Sequence, residues 1–364
     1  MKSKKILLLA GSIFLSLILV ELGIRILTAS LIYSPKKSQA YDEILGRKID
    51  SSLPDIDENG FRNPGVPGAA DIVALGDSHT YGVNVTSEES WPGQLAGISG
   101  MTVYNMGVGG YGTLQYYYLF DSAAALKPKH IILALYPAND LNDVCKLIAE
   151  SDYWLRWAEE RGYSVGVCYD SSRWLDRINR TLSGLHLYWI AASAVKRVSE
   201  SVNFGDATEV RDGRNPTLIK DRTLNSHRRK MDLGRERISL GLAVTEDLLC
   251  EMKKRADSEG IEFSVLLIPS KERVFFDYLE GHGYGLSADY REMVDNEDAL
   301  TGELSRFFSK TGIRYADARP YVQKELYGSG NVYSRTDDGH PLATGYRAYA
   351  QAAYEGIVGE APPR

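Results

Sequence analysis

The chain has 364 residues, 48 acidic against 42 basic side chains, and a mean hydropathy of −0.25. That length holds one large α/β domain or two small ones with ample core. The net charge of −6 gives no electrostatic reason to expect a nucleic-acid partner, and three cysteines are too few for a disulfide scaffold.

Lys2, Lys4 and Lys5 precede an uncharged run from Ile6 to Val20, which Leu22, Ile24, Ile26 and Leu27 continue. The uncharged core is shorter than the ~20 residues a spanning helix wants. Glu21 and Arg25 stand four apart, however, and can pair near the interface, extending the apolar segment to Leu27. Residues 1–30 are therefore expected to be an uncleaved signal anchor, favoured over a signal cleaved near the "TAS" at 28–30. The lysines would lie inside and the rest of the chain in the periplasm or beyond the cell. Residues 31–56 are expected to be a linker: the region from 30 to 70 is rich in Ser, Pro and Asp with little periodicity, and "DENGFRNPG" (Asp57 to Gly65) is its one structured-looking patch.

Beyond that patch the pattern alternates. Apolar strands are expected at 72–76, 103–107, 130–136 and 263–270, with a weaker one at 313–317. Helices are expected from Leu114 to Leu126, Arg235 to Arg255 and Leu300 to Ser309. Such alternation implies a parallel sheet covered on both faces, in a domain spanning 57–357. Residues 141–233 are too long for a simple crossover and carry Trp154, Trp157, Trp174 and Trp189. These aromatics fit either a substrate groove or the core of a helical insertion, and the second is favoured. Cys145 and Cys168 are the cysteine pair closer in sequence; a bridge and two buried thiols both stay open. The run "HRRK" (His227 to Lys230) reads as a solvated basic turn, and His227 as a surface residue.

Parallel α/β sheets place their sites at the carboxyl ends of strands. Those ends carry Gly76-Asp77-Ser78, "NMGVGGYG" (Asn105 to Gly112) and "YPANDL" (Tyr136 to Leu141), and "TDDGHP" (Thr336 to Pro341) follows near the C-terminus. Gly-Asp-Ser alone is also good turn and cap chemistry. Together, the four segments hold the inventory for serine-based acyl chemistry. Ser78 needs His340 to take its proton, and His340 needs an acid, Asp337 or Asp338, to hold its tautomer. Negative charge developing on the substrate carbonyl needs donors, for which the N–H groups of Ser78 and Gly110 and the side-chain amide of Asn139 are the candidates.

Gly76-Asp77-Ser78, Asn105-x-Gly107-x-x-Gly110, Asn139-Asp140 and Asp337-Asp338-x-His340 resemble, in order, the four sequence blocks of the SGNH (GDSL-type) hydrolase superfamily, and "GDSHTYGV…SWP" resembles its membrane-anchored bacterial branch. The resemblance implies a three-layer α/β/α, flavodoxin-like fold. It implies an exported serine esterase or deacylase, without cofactor or metal, cleaving O-acyl esters of carbohydrate or lipid through an acyl-serine. An O-acyltransferase acting on cell-surface polysaccharide and a non-catalytic surface binding module are the alternatives. Two departures stand out. Ala138 precedes the Asn where the family has Gly, and both Asp337, at the commoner spacing and slightly favoured, and Asp338 could orient His340. His79 stands where the family has Leu or Phe.

"GVGGYG" (Gly107 to Gly112) matches the dinucleotide fingerprint only formally, since that motif belongs on the first strand of its unit. An α/β-hydrolase elbow is excluded because Thr80 occupies its second glycine position. The six histidines are scattered, with no metal-binding spacing.

Overall fold

The computed structural model describes residues 39, 40, 42–169, 207–210, 213 and 215–359, together with helical Ser16 and Val20. The chain divides into two units. Met1–Ser38 with Tyr169–Gly205 form one, of which only Ser16, Val20 and Tyr169 are described; Gln39–Cys168 with Asp206–Arg364 form the other. The expected anchor at 1–30, apart from Ser16 and Val20, falls outside the described residues, as do Trp174, His186 and Trp189. Among the described residues, no helix is long and apolar enough to cross a membrane.

The strands of the second unit are β1 (Gln39–Ala40), β2 (Lys48–Ile49), β3 (Ile72–Gly76), β4 (Val103–Gly107), β5 (His130–Leu135), β6 (Ala207–Val210), β7 (Thr217–Lys220), β8 (Glu262–Leu267) and β9 (Arg314–Asp317). Five form a wholly parallel sheet in the order β4-β3-β5-β8-β9, while β1-β2 and β6-β7 are small antiparallel pairs. Every residue of β3 and β5 is buried, which is why both read as unbroken apolar runs rather than as alternation. Helices including Thr113–Ala124, Glu236–Glu259, Ala288–Thr311 and Ala343–Ala353 flank this α/β fold. The five expected strands are present, with ends shifted by up to three residues at β8.

The order of the main sheet reverses around β3: the chain runs outward to β4, then crosses back to β5 and continues to β8 and β9. A crevice therefore opens beyond the carboxyl ends of β3 and β5, where connections leave in opposite directions. Ser78 follows β3, and Asn139 follows β5.

Between β5 and β8 lie helices Asp140–Glu150, Asp152–Glu160 and Asp221–Lys230 and the β6-β7 pair, before the long crossover helix Glu236–Glu259. Trp154 is buried in the core and Trp157 packs against it, so the described part of the expected insertion uses its tryptophans for packing. Cys145 and Cys168 are bonded to each other, while Cys250 is free.

Two expectations are corrected here. Residues 42–49 are not a linker. Leu45 is buried, and the carbonyls of Glu43, Ile44 and Arg47 accept hydrogen bonds from Ser151 Oγ (2.9 Å), Trp154 Nε1 (2.7 Å) and Tyr111 Oη (2.6 Å). A segment of mixed composition can pack this way because its backbone carbonyls, which periodicity does not register, supply the contacts. "HRRK" is not a turn but the last turn of Asp221–Lys230, where basic residues face the helix's negative end.

Candidate active site

The nucleophile turn is built locally. Asp77 caps the short helix Ser78–Tyr81, its Oδ1 accepting from the His79 N–H at 2.9 Å, so Ser78 is the first helical residue. Gly76 and Gly107 are partners at the ends of β3 and β4. A Cβ on Gly107 would lie 2.4 Å from the Tyr81 nitrogen, so only glycine lets the helix fold over the end of β4. Asn105 then ties the turn down, donating to Thr80 O at 2.9 Å and accepting from the Gly107 N–H at 2.8 Å.

The "DENGFRNPG" patch grips the same turn from outside. Asp57 accepts from Phe61 N, Asn63 Nδ2 and Tyr104 Oη, and Asn63 in turn exchanges hydrogen bonds with the backbone of Asn105. Arg62 Nη1 donates to Gly82 O (2.9 Å) and Val85 O (3.0 Å). The polar density of the patch was the only sign of this role.

Across the crevice, His340 Nε2 lies 2.8 Å from Ser78 Oγ, and His340 Nδ1 lies 2.6 Å from Asp338 Oδ1. The same carboxylate oxygen accepts from the His340 backbone N–H at 3.0 Å, while Asn84 Nδ2 donates to Oδ2 at 2.9 Å. Asp337, slightly favoured on spacing, instead pairs with Lys220 at 3.0 Å and stays partly exposed. The physical reason is the turn: a carboxylate bonded to the N–H two residues on is already folded back beneath the imidazole. Burial works to raise the Asp338 carboxyl, but hydrogen bonds from His340 and Asn84 hold it well below the usual carboxylate range.

The turns that carry Gly110 and Asn139, the other two candidate oxyanion donors, lie beside the Ser78 turn. Gly110 adopts φ +81°, a left-handed conformation that suits glycine, and a Cβ on Gly109 would come within 3.7 Å of Ser78 Cβ. Among the described residues, the N–H groups of Ser78 and Gly110 have no hydrogen-bond partner. Asn139 stands at the N-cap of Asp140–Glu150, its Nδ2 donating to Asp77 Oδ2 at 3.0 Å. An amide nitrogen carries two hydrogens, so one stays available for an oxyanion. Burial pushes the Asp77 carboxyl up, against the hydrogen bonds from Asn139 and His79 that lower it. Asp140 sets this second turn, accepting from the Tyr136 N–H at 2.8 Å and from Tyr116 Oη at 3.1 Å.

Several further residues crowd around these turns, and His79 among them is the packed neighbour of Ser78 that its position suggested. His79 is buried, with its ring 4.8 Å from that of His340 and 4.3 Å from that of Tyr136; burial, then the neighbouring His340, holds it well below the usual histidine range and hence neutral. His227 is not a surface residue. It lies edge-on to Tyr136, and its Nδ1 is 3.1 Å from the buried carboxylate of Glu272. Lys271 is fully buried, and its ammonium donates to the carbonyls of Leu218 (3.0 Å), Thr336 (2.9 Å) and Asp338 (3.2 Å). It thus fixes the backbone that carries Asp338. Nothing in the local sequence around Lys271 distinguishes it from a surface lysine.

On the Asn84 side, a depression of about 570 Å3 is lined by Asp55, Arg62, Glu88 and Glu89 among others; Ser78 does not line it.

No family model matches the chain, and no curated protein matches it. Solved structures do. The chain is similar to an extracellular lipase from Streptomyces rimosus, at 14% identity over 79% of this chain and 100% of that one, with a TM-score of 0.41. It is also similar to a member of the lipolytic protein G-D-S-L family from Veillonella parvula DSM 2008, at 15% identity over 79% and 97%, with a TM-score of 0.37. A third is an acetyl-xylooligosaccharide esterase variant from Geobacillus stearmophilus, at 12% identity over 80% and 96%, with a TM-score of 0.37.

Proposed function

We propose that the protein is a serine esterase of the SGNH type that cleaves O-acyl esters of carbohydrate or lipid. One observation carries this reading: the hydrogen-bonded line from Ser78 Oγ through His340 to Asp338, standing beside two unpartnered N–H groups and the Asn139 amide. His340 Nε2 takes the Ser78 proton as Oγ attacks the ester carbonyl, and Asp338 holds the ring with its Nδ1 proton inward. The oxyanion rests on Ser78 N–H, Gly110 N–H and Asn139 Nδ2. His340 then returns its proton to the leaving alcohol, and water, activated by the same ring, releases the acid and restores Ser78.

The proposal includes export and anchoring by residues 1–30. The Cys145–Cys168 disulfide supports an oxidising compartment, and the N-terminal lysines before an apolar run support the orientation. Fractionating expressing cells and digesting from outside with protease tests the placement; a protected catalytic unit in the soluble cytoplasmic fraction overturns it.

The test of the chemistry is Ser78→Ala. Hydrolysis of 4-nitrophenyl acetate should vanish while the circular dichroism spectrum and Tm stay unchanged, because the hydroxyl is required only for covalent chemistry. Turnover persisting in the purified variant overturns the assignment.

A further inference from the structure

The segment 42–49 that crosses the helices next to the crevice delivers one side chain to the active site. Its backbone is fixed by the hydrogen bonds from Ser151, Trp154 and Tyr111 already described, by Asp42 Oδ1 accepting from the N–H groups of Ile44 and Leu45 at 3.0 and 2.8 Å, and by the burial of Leu45. From this support the half-buried guanidinium of Arg47 reaches over Gly110: a Cβ on that glycine would lie 3.0 Å from Arg47 Nη1 and 3.2 Å from Cζ. Gly110 is a candidate oxyanion donor, so the guanidinium stands beside the place where an ester would react.

Among the described residues, the Arg47 guanidinium makes no ion pair or hydrogen bond. Asp143 feels its charge and sits against Gly112, where a Cβ would be 3.3 Å from Asp143 Cβ. Asp143 also feels Lys146 and Lys230, and those two likewise make no ion pair with a described residue. Burial pushes the Asp143 carboxyl up, and Lys146, Lys230 and Arg47 act to lower it. Arg47 is therefore a cation held by no salt bridge among the described residues, whereas the depression on the Asn84 side is lined by three acids and one arginine. An arginine on a built support, with no ion pair among the described residues and next to a candidate oxyanion donor, is a ready receptor for a planar or tetrahedral anion.

We propose that Arg47 binds an anionic group, a carboxylate or a phosphate, carried by the ester substrate on the Gly110 side of Ser78. The inference rests on the esterase reading and narrows its substrate class to acylated acidic carbohydrates. Asp143, whose Cβ lies 3.3 Å from where a Cβ on Gly112 would be, and the Gly109–Gly110 backbone are polar and suit a sugar. Arg47 is a specificity-determining residue in this scheme and takes no part in proton transfer.

The experiment compares three matched acetyl esters, of glucose, glucuronic acid and glucose 6-phosphate, with wild-type protein, Arg47→Gln and Arg47→Lys. The expected result is a higher kcat/KM for one or both anionic esters than for the neutral one. That ratio should fall about tenfold or more in Arg47→Gln, mostly through KM, and recover in part with Arg47→Lys. The two anionic arms distinguish carboxylate from phosphate. A wild-type ratio at or below one, or a ratio unchanged by Arg47→Gln, overturns the inference while leaving the esterase reading intact. Binding in the absence of turnover separates the two further. Glucuronate and glucose 6-phosphate are titrated by ligand-observed NMR into Ser78→Ala protein, with and without Arg47→Gln. Loss of binding with the arginine supports the anion site even if no ester is hydrolysed, and equal binding by both proteins overturns it.

Discussion

The two halves of the candidate site are made by different means. The half with Ser78, Gly110 and Asn139 stands on turns that leave neighbouring strands β3, β4 and β5: Asp77 caps Ser78's helix and Asp140 closes the turn that carries Asn139, while Gly107, Asn105 and Arg62 hold Ser78's turn from the adjoining strand and the 57–65 patch. The acid–histidine half sits on the loop 336–340, which belongs to no strand of the main sheet. That loop is held from afar, by Lys271 through the carbonyls of Thr336 and Asp338, by Asn84 on the carboxylate, and by Thr217 Oγ1 on Ser334 O at 3.0 Å. One half presents Ser78 and the candidate oxyanion donors. A clamped half holds Asp338 and His340, and its position depends on contacts more than sixty residues away in sequence.

That contrast can be broken most directly at the acid. Asp338→Asn should lower kcat by about three to four orders of magnitude, the loss expected when a triad histidine is left in the wrong tautomer. Asp337→Asn, which removes only a partly exposed pair with Lys220, should change kcat less than about twofold, in keeping with the small worth of surface pairs. Steady-state kinetics on both variants checks the ranking, and a reversal would return the role to Asp337.

On the Ser78 side, Asn139→Ala should cost about a hundredfold in kcat with little change in KM, because the amide binds an oxyanion that exists only along the reaction path. A loss confined to KM would mean that Asn139 only shapes the turn.

Lys271→Met tests whether the clamp matters to the chemistry. It removes a buried ammonium from three carbonyls, and kcat should fall about tenfold in protein that remains folded, since a displaced loop misplaces His340 by a fraction of an ångström. Tm should fall as well, because buried acceptors lose their donor. A drop in Tm with kcat preserved would make Lys271 a stabilising residue alone.

The smallest effect is expected one step further back. Glu297 accepts from Ser270 N at 2.9 Å and Ser270 Oγ at 2.5 Å, and so fixes the N-cap of the helix Lys271–Gly281 that carries the clamp. Burial pushes its carboxyl up to about 7, from 4.5 in the unfolded chain. The folded state therefore holds this proton more tightly, and stability falls as pH rises from about 4.5 to about 7, by on the order of 3 kcal/mol for this group. Glu297→Gln should flatten that dependence, narrowing the difference in Tm between pH 5 and pH 8 by a few degrees. An unchanged difference would show that Glu297 does not titrate in this range.

The sequence by itself determined what lies within a few residues of a strand end. Strands buried on both faces read as apolar runs, so β3 and β5 stood out most clearly, with β4 and β8 marked by their apolar cores around single polar residues; small residues and a cap at the strand ends marked the turns that carry Ser78, Gly110 and Asn139. The tertiary structure decided what depends on residues meeting across the chain. Two aspartates stand before His340, and only the folded loop shows Asp338 beneath the ring and Asp337 turned to Lys220. A lysine, a histidine and an arginine look solvated in a sequence because each commonly is. Lys271, His227 and Arg47 acquire their roles from carbonyls, a carboxylate and a glycine turn that lie 45 or more residues distant, and no local period records a contact whose partner is a backbone carbonyl.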